Sequence, residues 1–158
     1  MTLKNILSAT LCMALGLCAL VSCSSDDKDE PATPAARSIA GTYTGDMECT
    51  VMNSTDKMEN MTYTLTASSD ETVDISIPSF GNPPMQLPEI TVKNVKVSGE
   101  KGAYTIHNTE TSGTLDNGKT YKVTIAGSAT DSDVKIQFNL QYGNMPMPMI
   151  CSFEGAKK

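Results

Sequence analysis

From Ser38 to the end of the chain, apolar and polar residues alternate at a period of two, and Gly, Asn, Asp and Pro interrupt the alternation at short intervals. Successive side chains of a β-strand point to opposite faces, so each such run buries one face and wets the other. No stretch of this region carries the i, i+3, i+4 spacing of an amphipathic helix. Eight runs follow one another. The first turns Ile39, Tyr43, Met47, Cys49 and Val51 inward, with Gly41 and Gly45 suiting sharp curvature. The second places Met61, Tyr63, Leu65 and Ala67 inward and is joined across Ser68-Ser69-Asp70 to a third with Val73, Ile75 and Ile77. A long loop over 79–88 is too rich in Pro to join a ladder.

In the fourth run the apolar phase changes from Ile90 and Val92 to Val95 and Val97, which predicts a bulge near Lys93 and Asn94. A turn at 99–102 leads into a short fifth strand around Tyr104 to His107, and Asp116-Asn117-Gly118 turns the chain again. The sixth run carries Tyr121, Val123, Ile125, Gly127 and Ala129, and the seventh carries Val134, Ile136, Phe138, Leu140 and Tyr142. After Gly143-Asn144, the last places Met147, Met149, Cys151 and Phe153 on one face. An antiparallel meander of eight strands has two open edges, and closure into a barrel removes both. An all-β, eight-stranded antiparallel meander barrel is therefore the expected fold, with a two-sheet sandwich as the alternative.

Composition narrows the function classes. With 12 Lys plus Arg against 18 Asp plus Glu, the formal charge is −6, so no basic face is available to displace phosphate counterions. Nucleic acid is not an expected partner. His107 is the lone His, and no Gly-x-Ser-x-Gly or phosphate-binding loop accompanies it, so neither an enzyme nor a cofactor is expected. It reads as a surface or hydrogen-bonded residue. Asp131-Ser132-Asp133 lacks the Gly and later Glu of an EF loop and reads as a turn.

The front of the chain is an address. Lys4 precedes an apolar stretch from Ile6 to Val21, too short and too punctuated for a spanning helix. Leu20-Val21-Ser22-Cys23 resembles the lipobox of lipoprotein signal peptides, which implies cleavage after residue 22 and a diacylglycerol thioether on Cys23. The acidic run 24–30 after it resembles the export signal of Bacteroidetes surface lipoproteins, which implies the outer membrane, facing the exterior. The expected organisation is a signal peptide over 1–22, a lipidated Cys and acidic, Pro-rich linker over 23–37, and a barrel domain over 38–158. Cleavage and acylation would leave Cys49 and Cys151 as the remaining cysteines. Both fall on inward faces, of the first and last strands, where they form either a cross-strand disulfide or two buried unbonded thiols.

Ile39-Ala40-Gly41-Thr42-Tyr43-Thr44-Gly45, Tyr121-Lys122-Val123, Tyr142-Gly143-Asn144-Met145-Pro146 and Phe153-Glu154-Gly155 together resemble the calycin-like barrel domain of Bacteroidetes lipoproteins. The resemblance implies kinship with lipocalins, although the Gly-x-Trp of their first strand stands here as Gly41-Thr42-Tyr43 and the chain has no Trp. The expected function is binding of a small apolar or amphipathic ligand inside the barrel, with Tyr43, Met47, Met61, Tyr63, Tyr121, Phe138, Met147 and Met149 as lining. The alternative is a non-catalytic partner-binding or structural surface module with a filled barrel, contacting through the 79–88 loop. Met145, Met147 and Met149 also alternate toward Cys151, and soft sulfur ligands suit Cu(I), so this cluster is a lesser metal candidate. Oligomeric state has no signal in the sequence.

Overall fold

The computed structural model describes residues 31–83 and 86–158. The leader, Cys23 and the acidic run therefore lie outside the described residues. A short helix, α1 (Ala35–Ile39), precedes eight strands: β1 (Gly41–Val51), β2 (Ser54–Ala67), β3 (Thr72–Ile77), β4 (Ile90–Glu100), β5 (Ala103–Thr114), β6 (Thr120–Ala129), β7 (Asp133–Tyr142) and β8 (Met149–Lys157). Each strand pairs with the next, and β8 pairs with β1, giving a closed antiparallel barrel rather than a sandwich. The closing seam runs in unbroken register from Tyr43 opposite Lys157 to Thr50 opposite Ile150, with Cys49 directly across from Cys151.

Period-two burial holds most fully along β7, where Val134, Ile136, Phe138, Leu140 and Tyr142 are all buried between exposed or half-buried neighbours. The phase change in β4 is a bulge: Val73 faces Val95 and Ile75 faces Val92, so Lys93 and Asn94 together oppose Asp74. Asn94 takes a φ of 56° there, and its N–H donates to the Asp74 carboxylate at 2.9 Å. Asn tolerates this left-handed conformation better than most residues.

Four expectations are corrected. Residues 35–37 of the expected linker, together with Ile39 of the expected first strand, form α1, because Pro34 precedes two strong helix formers and Ile39 has the barrel interior to fill. Ala36 and Ile39 are fully buried, and the Tyr43 hydroxyl donates to the Ile39 carbonyl at 2.8 Å. α1 thus plugs the end of the barrel where β1 begins, and Lys157 Nζ holds the Ser38 carbonyl at 2.9 Å. Strand β5 runs on to Thr114: past a bulge after Ile106 its inner positions are Thr109, Thr111 and Gly113, whose polarity hides the alternation. Phe80 and Leu87 join in an isolated antiparallel bridge despite the surrounding prolines. Finally, β8 begins only at Met149, since Pro146 and Pro148 lack the N–H groups a ladder needs.

The ladders are complete at the plugged end and incomplete at the other. β2 pairs with β3 only from Thr64 to Ala67, and β4 pairs with β5 only from Val97 to Glu100. Between those shortened ladders the segment between β3 and β4 folds back, burying Phe80 and Leu87, with the Phe80 ring edge-on to Phe138 at 6.5 Å. The core of the plugged half is Tyr43, Met47, Tyr63, Phe153 and the aliphatic residues of β3, β4 and β6, with Tyr63 stacked on Phe153 at 3.9 Å.

Gly45 sits where β2, β1 and β8 lie side by side, opposite Met61 on one flank and Gly155 on the other. A Cβ at this position would fall on the Glu154 carbonyl oxygen and the Gly155 backbone, neither of which can swing aside. Gly45→Ala is therefore expected to destabilise the domain by about 1–3 kcal/mol, as overpacking does. Urea denaturation should show a lower midpoint at an unchanged m-value; a midpoint equal to that of the parent would contradict the close seam.

Candidate functional site

At the end away from α1, the loops after β1, β3, β5 and β7 surround a cavity of 1420 Å³ that opens to solvent. The inner residues of β2 on either side of its bulge, Asp56 and Met58 above it and Met61 below, form one wall and pair with Cys49, Met47 and Gly45 of β1. Phe80 and Leu87 form a second wall, and Tyr142, Met145 and Met149 a third. Lys119 and Thr120 stand at the rim. The Lys119 ammonium lies 5.1 Å from the centre of the Tyr142 ring, and the Tyr142 hydroxyl accepts from Asn117 Nδ2 at 2.7 Å. Lys57, next to Asp56, faces outward and pairs with Asp46 at 2.9 Å.

The cavity floor is the sulfur-rich seam. The Cys49 and Cys151 sulfurs lie 2.6 Å apart, and both side chains are buried. The adjoining Cys49 sulfur and burial together push the Cys151 thiol well above its ordinary pKa. Beneath them the Tyr63 hydroxyl donates to Met47 Sδ at 2.9 Å. Burial raises Tyr63 strongly, with the two thiols adding to it. Burial also raises Tyr43 at the plugged end, helped by Asp133 and Asp131.

Of the expected lining, Met61 and Met149 face the cavity. Tyr43, Met47, Tyr63 and Phe138 do not: they are core residues that fill the barrel below it, because large inward side chains from facing strands meet across the narrow lumen. Tyr121 packs over Gly113 instead. Met147 is half exposed and sits outside any strand, so the proposed sulfur ladder of Met145, Met147 and Met149 is not formed; Met145 and Met149 face the cavity while Met147 projects away. Among the described residues, no group of three or more His, Cys, Asp or Glu side chains is arranged to hold a metal. His107 is exposed and shares a 2.7 Å hydrogen bond with Ser98. The sequence reading missed Asp56, Met58, Phe80 and Leu87. Met58 lies among charged neighbours, without the alternation that marked other strands, and the bulge at Glu59 and Asn60 shifts its phase.

Comparison with known proteins bears on the fold. The family described as calycin-like beta-barrel domain matches residues 39–156. A crystal structure of a Bacteroides fragilis protein, provisionally described as an outer membrane protein, superposes with a TM-score of 0.68 at 24% identity over 79% of this chain. The match spans about half, 53%, of that protein's own chain. No curated protein matches the sequence. Among the described residues, no helix is long and apolar enough to cross a membrane.

The buried phenols give the barrel a stability that is sensitive to alkali. Tyr is neutral below its pKa, about 10 in an unfolded chain, and Tyr43 and Tyr63 hold their protons to higher pH when folded. Below about pH 10 neither state ionises and the contribution is whole; above it the unfolded chain loses protons that the folded one keeps, so stability falls. The thermal midpoint is expected to decline from about pH 10 upward, and the decline should be shallower in Tyr63→Phe. Equal slopes in parent and variant would refute the assignment.

Proposed function

The chain belongs to the calycin-like β-barrel family, and from that premise we propose that it is an outer membrane lipoprotein whose barrel mouth takes up a small apolar or amphipathic molecule. The observation that carries the reading is the mouth cavity itself: 1420 Å³, with Met58, Met61, Leu87 and Met149 on its walls and Asp56, Lys119 and Thr120 toward the opening. Such a site offers flexible thioethers and aliphatic groups to an apolar body and polar groups to its wet end. A filled barrel serving only as a surface module is less well supported, because the packed core stops below the mouth. The reading includes no catalytic step.

Membrane attachment rests on Cys23 and the lipobox before it, and outward display rests on the acidic run 24–30. The structural neighbour from Bacteroides fragilis adds the barrel fold to that argument.

Binding is tested with an anionic naphthalene dye on the chain lacking residues 1–23, and by native mass spectrometry of the same chain purified from its host. Met61→Glu and Met145→Glu place a charge on half-buried cavity positions and should weaken dye binding about tenfold or more. Ile150→Glu, on the exposed outer face, should leave it unchanged. Dye affinity that is absent, or alike in all three variants, together with no co-purified molecule, would abandon the cavity reading. Attachment is tested separately: Cys23→Ala should abolish incorporation of labelled palmitate and move the chain to the soluble fraction. Unchanged palmitate labelling would reject Cys23 as the acylated residue.

A further inference from the structure

The two ends of the meander meet at a pair of thiols. Cys49 and Cys151 are separated by 102 residues in sequence, stand directly opposite each other on β1 and β8, and bring their sulfurs to 2.6 Å on the inner face. Opposed cross-strand positions lie within the separation that a disulfide spans. The pair also has an inside and an outside. Cys49 keeps 6% of its surface exposed and lines the mouth cavity, whereas Cys151 keeps 2% and lies behind it.

We propose that Cys49 and Cys151 are joined in the native protein by a disulfide that locks the β1–β8 seam, formed by exchange with a disulfide-bearing thiol oxidant. The Cys49 sulfur, as thiolate, attacks one sulfur of the oxidant's disulfide, and that bond breaks to release the first oxidant thiolate. The mixed disulfide on Cys49 is then attacked by the Cys151 sulfur, which gives its proton to solvent as the second oxidant thiolate leaves. Two electrons pass from the cysteines to the oxidant, and the net products are one protein disulfide and two oxidant thiols. The order follows the geometry: Cys49 lines the mouth cavity and Cys151 does not. Formation in the cell rests on the envelope placement proposed above, since the cytosol keeps thiols reduced.

The test has two arms. In the first, the full lipoprotein is extracted from its host's envelope into detergent, denatured with a maleimide present, and mapped without reductant. The expected result is no maleimide on either residue and one cross-linked peptide containing Cys49 and Cys151; free thiols at both overturn the proposal. In the second, the purified reduced protein is treated with oxidised glutathione. The parent should close to the intramolecular disulfide, whereas Cys151→Ala should retain glutathione on Cys49. A parent that does not close overturns the pairing wherever the protein resides. A parent that closes in vitro but is reduced in the envelope extract overturns its occurrence in the cell and points to the export reading as the failed premise. Reductant should also lower the thermal midpoint of the oxidised parent by on the order of 10 °C, and leave that of the Cys49→Ala, Cys151→Ala double variant unmoved.

Discussion

An antiparallel meander leaves its first and last strands each with a row of backbone donors and acceptors that nothing within the meander can satisfy. In this protein those two rows satisfy each other: β1 and β8 pair from Tyr43 and Lys157 to Thr50 and Ile150. Closure does more than hide edges. It fixes the inner face of every strand at once, since a slip of one residue at the seam would turn Met47, Cys49, Cys151 and Phe153 toward solvent. The glycines at the seam follow from the same demand. Gly45 and Gly155 stand opposite each other where the backbones approach too closely for a side chain on Gly45.

Closure also divides the lumen. Where the ladders are complete, the lumen is narrow enough for Tyr43, Tyr63, Met47 and Phe153 to fill it, and α1 seals the end. Where β2 separates from β3 and β4 from β5, the wall widens, and the returning segment with Phe80 and Leu87 covers only part of the gap. The cavity is thus a consequence of ladder length: six residues in β3 against fourteen in β2 cannot carry the wall to the mouth. A filled barrel and an open one are here two halves of one structure, stacked along one axis.

Most of the fold was legible because burial is periodic. The strands whose inner faces are uniformly apolar, β3, β4, β6 and β7, stand where alternation put them, and the phase break in β4 located its bulge. What escaped was wherever the inner face is polar or the backbone leaves the strand. Thr109, Thr111 and Gly113 hid the far half of β5, and charged residues around Met58 hid the near half of β2. Met147 misled for the opposite reason: its spacing continued the pattern, but Pro146 and Pro148 remove the ladder that would give that spacing a meaning. The candidate site was less legible than the core because a cavity is bounded by loops and strand ends. Inward-facing residues could be read from period two, but not how far along the lumen each one sits: Met61 and Met149 line the space, whereas Tyr43, Met47, Tyr63 and Phe138 fill the barrel below it.

The chemistry of the cavity follows from the same division. Its deep walls come from strands that continue the core, so Met149, Cys49 and Met61 present sulfur and aliphatic surface. Its outer walls come from segments that have left the core and carry Asp56, Asn82, Lys119 and Thr120. A wholly apolar ligand reaching the rim would displace water from those exposed groups, and a wholly polar one would be stripped of water against the thioethers. A molecule with one end of each kind meets neither cost. Because Cys49 belongs both to this floor and to the seam, whatever fixes the two end strands together also fixes the depth and shape of the space that such a molecule would enter.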